Sequence, residues 1–523
     1  MTWPVPGSRG RTMTNAINRR TFLTGAMGLL LLLGFTPSVS LLVAPAKAQP
    51  AKPLDDTAEE SWQVIYIGKK RVGYGHTRTK QIKKDGRTIV HTHSDSHMKL
   101  VRFGQTLNVH TTLQTDEALD GALIKFEYET RNPPAKPNRT VGVVHGTRME
   151  LKVTVNGQSD TVTVPIPHGV KSPAYAERVL RTPPLKPGER RSFGAFEISF
   201  NKAGKVGFEA QDVRSVDLLD GKRRELLKVR MSQSVAPTMK TTHYLNETGE
   251  SLRSDVDMLG MTMSTYTVSR NVALQEIVGA ELDLAVKTLV RVKRIRKGHA
   301  TSRAVYRIKT KGVDPSERIV NGGTQAIKKT GTDEIILTVS AIRPTPQIGR
   351  PTTDPKFTAA SRFLQTGDRL VRQHANRAAG NERDPWRIAK KMEQHVSRKL
   401  AKKNFSTALA SAAEVAKNLE GDCTEHAVLL AAMLRVKEIP SRLCVGMVYI
   451  ERDTAFGGHM WTEAFIGGKW IPLDATLALG GIGAAHIKLV ESSFADGAAD
   501  PATAFIPLLD VLGKMEIDVL ESQ

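Results

Sequence analysis

From residue 60 to about residue 275, apolar and polar positions alternate in short runs broken by turn pairs, the period of half-buried β-strands. Ile82–Val90 sets Asp85-Gly86 between strand-like flanks, and Val153–Val155 and Thr161–Val164 flank Asn156-Gly157. Such pairs supply the positive φ angles that tight hairpin turns need. Asp120-Gly121 and Asp220-Gly221 repeat the signal. One short helix is expected near Pro173–Leu180, stopped by Pro183-Pro184. The region reads as one large antiparallel β domain.

The pattern changes twice further on. Leu282–Arg343 is a smaller strand-rich segment that includes the alternating run Leu289–Lys297. A proline-rich linker runs from Arg343 to Pro355, and helical periodicity follows over Ala359–Leu364, Pro385–Lys402 and Ser406–Asn418. A further helix opens near Cys423 and reaches about Val436, with Asp422 as a cap and Glu425 in its first turn. Every residue from Ala427 to Leu434 is apolar, so this helix is expected to be buried nearly all round. Ser441–Tyr449 then reads as a buried strand, Glu451–Gly458 as a polar loop, and His459–Asp474 as a hairpin about Gly467-Gly468.

At the N-terminus Arg19-Arg20-Thr21-Phe22-Leu23 precedes an uncharged run, Gly25–Phe35, and Ala46-Lys47-Ala48. A basic start, a short apolar centre and a small-x-small end describe a secretory signal cut after Ala48, and the paired arginines resemble a twin-arginine signal. The location this implies is periplasmic or cell-envelope; membrane contact is expected only if the signal stays uncleaved. The chain has 523 residues and a formal charge of +22. Residues 1–48 hold five cationic residues and no acid, so the remainder keeps +17. An anionic envelope surface or polymer is the expected partner for that charge. Nucleic acid is not expected, because the basic run Leu289–Lys297 has no interleaved aromatic residue for base stacking.

Two cysteines, Cys423 and Cys444, exclude a disulfide scaffold and a four-cysteine zinc site. Cys444 lies in the apolar strand Leu443–Val445 and reads as core, which disfavours a disulfide with Cys423. Cys423, in the first turn of its helix, faces the positive end of the helix dipole, which favours thiolate. If Gly467-Gly468 is a two-residue loop, Trp461 lies opposite Asp474, and Asp474 becomes the diagonal neighbour of His459, within reach of a hydrogen bond. A nucleophile, a base and a carboxylate able to orient the base are then together.

Gly421–Ala427, Ile439–Arg442, His459–Glu463 and Trp470–Thr476 resemble the transglutaminase-like superfamily, in which cysteine, histidine and aspartate follow in this order. Here the spacings are 36 and 15 residues. Met460 and Ala475 depart from the usual small residue and proline. The resemblance implies an α+β chain whose C-terminal transglutaminase-like (papain-like) domain follows one or two antiparallel β domains. It also implies a Cys423–His459–Asp474 triad that forms a thioester from a peptide or glutamine-type amide, with a peptide or protein as substrate. Resolution by water is the first expectation, cross-linking to an amine the second, and an inactive scaffold of the envelope the third. The expected segments are 1–48 (signal), 49–278 (β), 279–343 (small β), 344–357 (linker), 358–478 (transglutaminase-like) and 479–523 (its C-terminal extension). No cofactor or metal is expected.

Two other features have plainer readings. His426, one turn past Cys423, is expected to pack rather than act as the base. His91, His93, Asp95 and His97 share one strand face, but neighbours there lie roughly 6.5–7 Å apart, so a solvated polar face is the better reading than a metal site.

Overall fold

The computed structural model describes residues 58–523 apart from 103–104, 134–135, 156, 278–282, 284–287, 345–353, 403–408 and 497–500. The expected signal segment and much of the linker lie outside the described residues.

Fourteen strands, from β1 (Glu59–Ile67) to β14 (Met261–Val268), form one antiparallel sheet. Consecutive strands pair from β1 to β8 (Gln158–Pro165) and from β9 (Arg190–Glu197) to β14, and β1 pairs with β14. The sheet rolls up. Lys171, in the segment between β8 and β9, bridges Ala122 on one side and Ala195 on the other. Helix α1 (Tyr175–Arg181) follows that bridge. The expected turns hold, with Asp85 and Gly86 both at positive φ and Gly121 and Gly221 likewise. Val155 pairs with Gln158 across the hairpin whose Asn156 lies outside the described residues.

After the short helix α2 (Arg270–Ala273), the basic run departs from expectation. Only Val290–Arg291 forms a strand, β15, and it joins β20 (Ala455–Ile466) of the C-terminal sheet. Beyond it the chain turns, and the Ile295 N–H donates to the Tyr449 hydroxyl at 3.1 Å. β16 (Arg303–Thr310), β17 (Gln325–Lys329) and β18 (Glu334–Ser340) form a sheet completed by β23 (Met515–Ser522), which pairs with β16. The expected C-terminal extension therefore divides between two sheets.

The last unit stacks helices on a second antiparallel sheet. No helix forms over Ala359–Leu364; instead α3 spans Arg369–Ala379, capped by Asp368, whose carboxylate accepts the Leu370 and Val371 N–H groups. α4 (Pro385–Lys399) starts at a proline after Asp384, and α5 (Ala412–Asn418) at a Ser411–Glu414 capping box. α6 (Cys423–Val436) is buried on all sides between these helices and the sheet. That sheet runs β15, β20, β19 (Ser441–Ile450), β22 (His486–Ser492), with β21 (Lys469–Leu473) also on β20. Arg435 pins the end of α6, donating to the carbonyls of Ala359 (2.6 Å), Ser441 (2.9 Å) and Ser493 (2.5 Å). Among the described residues no helix is long and apolar enough to cross a membrane.

Candidate active site

Cys423 owes its position to a capping box. Asp422 accepts the Thr424 N–H at 2.8 Å, and the Glu425 carboxyl accepts the Asp422 N–H at 2.9 Å. Gly421 sits at φ +148°, and a Cβ there would lie 2.4 Å from the Glu425 side chain, so only glycine lets the two meet. Burial, with Asp422 beside it, pushes the Glu425 carboxyl up to about 8. His426 turns back and donates from Nδ1 to the Asp422 carbonyl at 2.5 Å. It braces the helix start.

The hairpin brings the other two residues in. Gly467 and Gly468 both have positive φ, and Ile466 pairs with Lys469 and Thr462 with Leu473, the register read from the sequence. Asp474 follows directly, and His459 Nε2 meets its Oδ2 at 2.8 Å. That leaves Nδ1 of His459 without a hydrogen-bond partner among the described residues, and the ring interacts electrostatically with Cys423. Burial works against the imidazolium, but Asp474 and Cys423 outweigh it and raise His459 to about 10. Burial likewise opposes the Asp474 carboxylate, yet His459 and His486 hold its pKa well below the usual carboxylate range. Thr462 ties β20 to α6 by donating to the Ala427 carbonyl at 2.9 Å. All three residues are closed off, with Cys423 and Asp474 1 % exposed and His459 2 %.

Sequence reasoning missed two partners of Asp474. His486, at the start of β22, places its Nε2 3.1 Å from the same Oδ2, so two imidazoles share one carboxylate oxygen. Burial lowers the pKa of His486, which keeps it neutral and able to donate. Glu393 of α4 is fully buried and accepts the N–H groups of Asp474 (3.0 Å), Gly480 (2.8 Å) and Gly481 (3.4 Å). Its carboxyl is pushed up to about 7, because burial outweighs those hydrogen bonds. Neither residue belongs to a local motif. The one signal was chemical: an acidic residue on a helix face otherwise made of Ile388, Ala389, Met392 and Val396.

His459, Asp474 and His486 are the one group among the described residues whose donor atoms, within 4.8 Å of one another, have the chemistry to hold a cation, and they already hydrogen-bond among themselves. The His91–His97 row does not converge. His93 (2.6 Å) and His110 (3.3 Å) both bond Asp95, His91 bonds Asp116, and His97 stacks between Tyr74 and His110. Neither cysteine forms a disulfide, and Cys444 packs with Trp461 and Ile482. Trp461 also lies parallel to His459, with ring centres 6.3 Å apart, and edge-on to His486 at 5.3 Å.

Residues 372–475 match the family model of the transglutaminase-like superfamily, and the chain carries a transglutaminase-like domain there, behind its large antiparallel β region. No curated protein matches the chain. Among solved structures it is similar to a candidate cysteine protease from Cytophaga hutchinsonii, at 16 % identity over 43 % of this chain and 88 % of that one, TM-score 0.28. It is similar to a β-barrel-like protein of a domain of unknown function from Brucella abortus, at 12 % identity over 40 % of this chain and 96 % of that one, TM-score 0.29. A candidate protease from Parabacteroides distasonis matches at 12 % identity over 67 % of this chain and 64 % of that one, TM-score 0.17.

Proposed function

We propose that this chain is an exported cysteine-dependent acyl-transfer enzyme that hydrolyses a peptide or glutamine-type amide. The observation that carries the reading is the buried group of Asp474, His459 and Cys423, in which the 2.8 Å bond occupies His459 Nε2 and leaves Nδ1 as the nitrogen available to Cys423. Cys423 gives its proton to His459 Nδ1, and the sulfur attacks the carbonyl carbon. The C–N bond breaks as His459 returns that proton to the leaving amine, giving a thioester. Water, deprotonated by His459, adds to the thioester and releases the acid and the Cys423 thiol. Asp474 holds the ring orientation and balances the imidazolium. Because Cys423 is 1 % exposed, substrate reaches it only after a local opening of the covering segments.

The test is the mass of the products from a casein digest, with and without an added primary amine. Hydrolysis of a glutamine amide adds about one mass unit, peptide cleavage gives fragments, and amine transfer adds the amine. Cys423→Ala is expected to abolish every one of these changes while the far-UV spectrum and melting transition persist. Retained turnover in that variant contradicts the mechanism.

A further inference from the structure

Asp474 can orient His459 only while its own carboxylate is held still. Oδ1 accepts the Thr476 N–H at 2.8 Å, and Oδ2 faces His459 Nε2 at 2.8 Å and His486 Nε2 at 3.1 Å. An ionised carboxylate only accepts, so each imidazole presents a proton on Nε2. His486, kept neutral by burial, holds its single proton there. Oδ2 therefore has a second tether that takes no part in the chemistry at Cys423. Take that tether away, and the carboxylate can turn about its Cβ–Cγ bond with Thr476 as the pivot, carrying the His459 ring with it.

His486 is itself firmly seated. Its ring lies edge-on to Trp461 at 5.3 Å and 6.0 Å from the His299 ring, and its backbone pairs with Val448 of β19. The chain leading into β22 is clamped from upstream. The Ala484 N–H donates to the Thr301 carbonyl at 3.0 Å, and the Tyr306 hydroxyl of β16 donates to the Ala484 carbonyl at 2.9 Å. The Tyr449 N–H donates to the Ala485 carbonyl at 3.0 Å. Gly483 permits the approach, since a Cβ there would lie 2.5 Å from the His299 carbonyl oxygen. Both Gly298–Tyr306 and His486 lie outside residues 372–475, so the transglutaminase-like match contains neither.

We propose that His486 is a positioning residue of the acyl-transfer site: seated by Gly298–Tyr306, it fixes Asp474 Oδ2 through its Nε2–H and so keeps His459 Nδ1 directed at Cys423. This role rests on the reading of Cys423 as nucleophile and His459 as its base.

The rate at which iodoacetamide alkylates Cys423 in the full chain at pH 7, followed by peptide mass, tests the proposal without a substrate. His486→Phe is expected to slow it about tenfold. His486→Gln, whose amide N–H reaches the same place, should restore most of the rate. The sign separates positioning from packing, because a loosened core would uncover the buried Cys423 and speed its alkylation. Added to His459→Ala, His486→Phe should slow the reaction no further, since its effect passes through His459. Tyr306→Phe should slow it about threefold. Should His486→Phe not fold, His486→Asn replaces it: its shorter amide stops short of Oδ2, so it should react slowly where His486→Gln reacts fast. A rate in His486→Phe or His486→Asn that matches or exceeds that of the unsubstituted chain, no recovery in His486→Gln, or further slowing in the double variant overturns the role of His486. An unchanged rate in Tyr306→Phe overturns the part given to Gly298–Tyr306. If His459→Ala slows the reaction and His486→Phe does not, only the role of His486 falls; if His459→Ala changes nothing, the acyl-transfer reading falls with it.

Discussion

At the scale of single residues, Asp474 is held from several sides. Its Oδ2 faces two imidazoles, its Oδ1 accepts the Thr476 N–H at 2.8 Å, and its own N–H is held by Glu393. His486→Phe keeps a ring in place and removes one donor from a buried carboxylate. A loss of about 1–3 kcal/mol in urea unfolding is expected, with part recovered in His486→Gln. Glu393 gives a pH prediction of definite sign. Its folded pKa, about 7, lies above the 4.5 of a free glutamate, so the native state holds the extra proton between those values. Its contribution to stability is largest below about pH 4.5 and declines as pH rises towards 7. Glu393→Gln should therefore flatten the fall in unfolding free energy between pH 5 and pH 7. A slope unchanged by the substitution contradicts the assignment. Neither partner was legible in the sequence, because each reaches Asp474 from another element and carries no motif of its own.

At the scale of elements, legibility followed the range of the interactions. Cys423 and the buried helix behind it were readable because capping chemistry and an unbroken apolar run are local. The His459–Asp474 contact was readable because a two-glycine turn fixes the register of everything beside it. Helix α3 escaped: it carries Arg369, Arg372 and Arg377 outward and buries only Val371, His374, Ala375 and Ala379, a stripe too thin to stand out. The pairing of β15 with β20 escaped because only two residues take part. Gly446 shows how tightly the sheet is fitted. A Cβ there would lie 2.0 Å from the Ile487 carbonyl oxygen and 2.9 Å from the Trp461 ring. Gly446→Ala should part β19 from β22 or displace Trp461 beside His459, read as a lower melting temperature together with slower reaction at Cys423.

At the scale of the whole molecule, the segment Asp510–Ser522 is stitched to the middle of the chain. β23 pairs with β16, about two hundred residues earlier, and Asp510 binds Arg318 at 3.0 Å and also Thr238. Turn chemistry cannot announce such contacts, which is why residues 479–523 read as an extension of the neighbouring domain. Deleting Met515–Gln523 strips the edge from the four-stranded sheet and leaves the backbone edge of β16 unpaired beside its buried Tyr306 and Ile308. The truncated chain is expected to aggregate, seen as material in the void volume on size exclusion; a monodisperse, full-height peak contradicts that role for β23.

The central claim, that Cys423 is the activated nucleophile, is tested most directly by its alkylation rate with iodoacetamide from pH 5 to pH 9, followed by peptide mass so that Cys444 is counted separately. With His459 raised to about 10, its imidazole is a strong base for the Cys423 proton, so reaction of the sulfur near neutral pH is expected to depend on it. Cys423 should be alkylated readily at pH 7, and His459→Ala should slow that reaction by about tenfold or more while the chain stays folded. A Cys423 that is alkylated at pH 7 as fast in His459→Ala as in the unsubstituted chain contradicts the account.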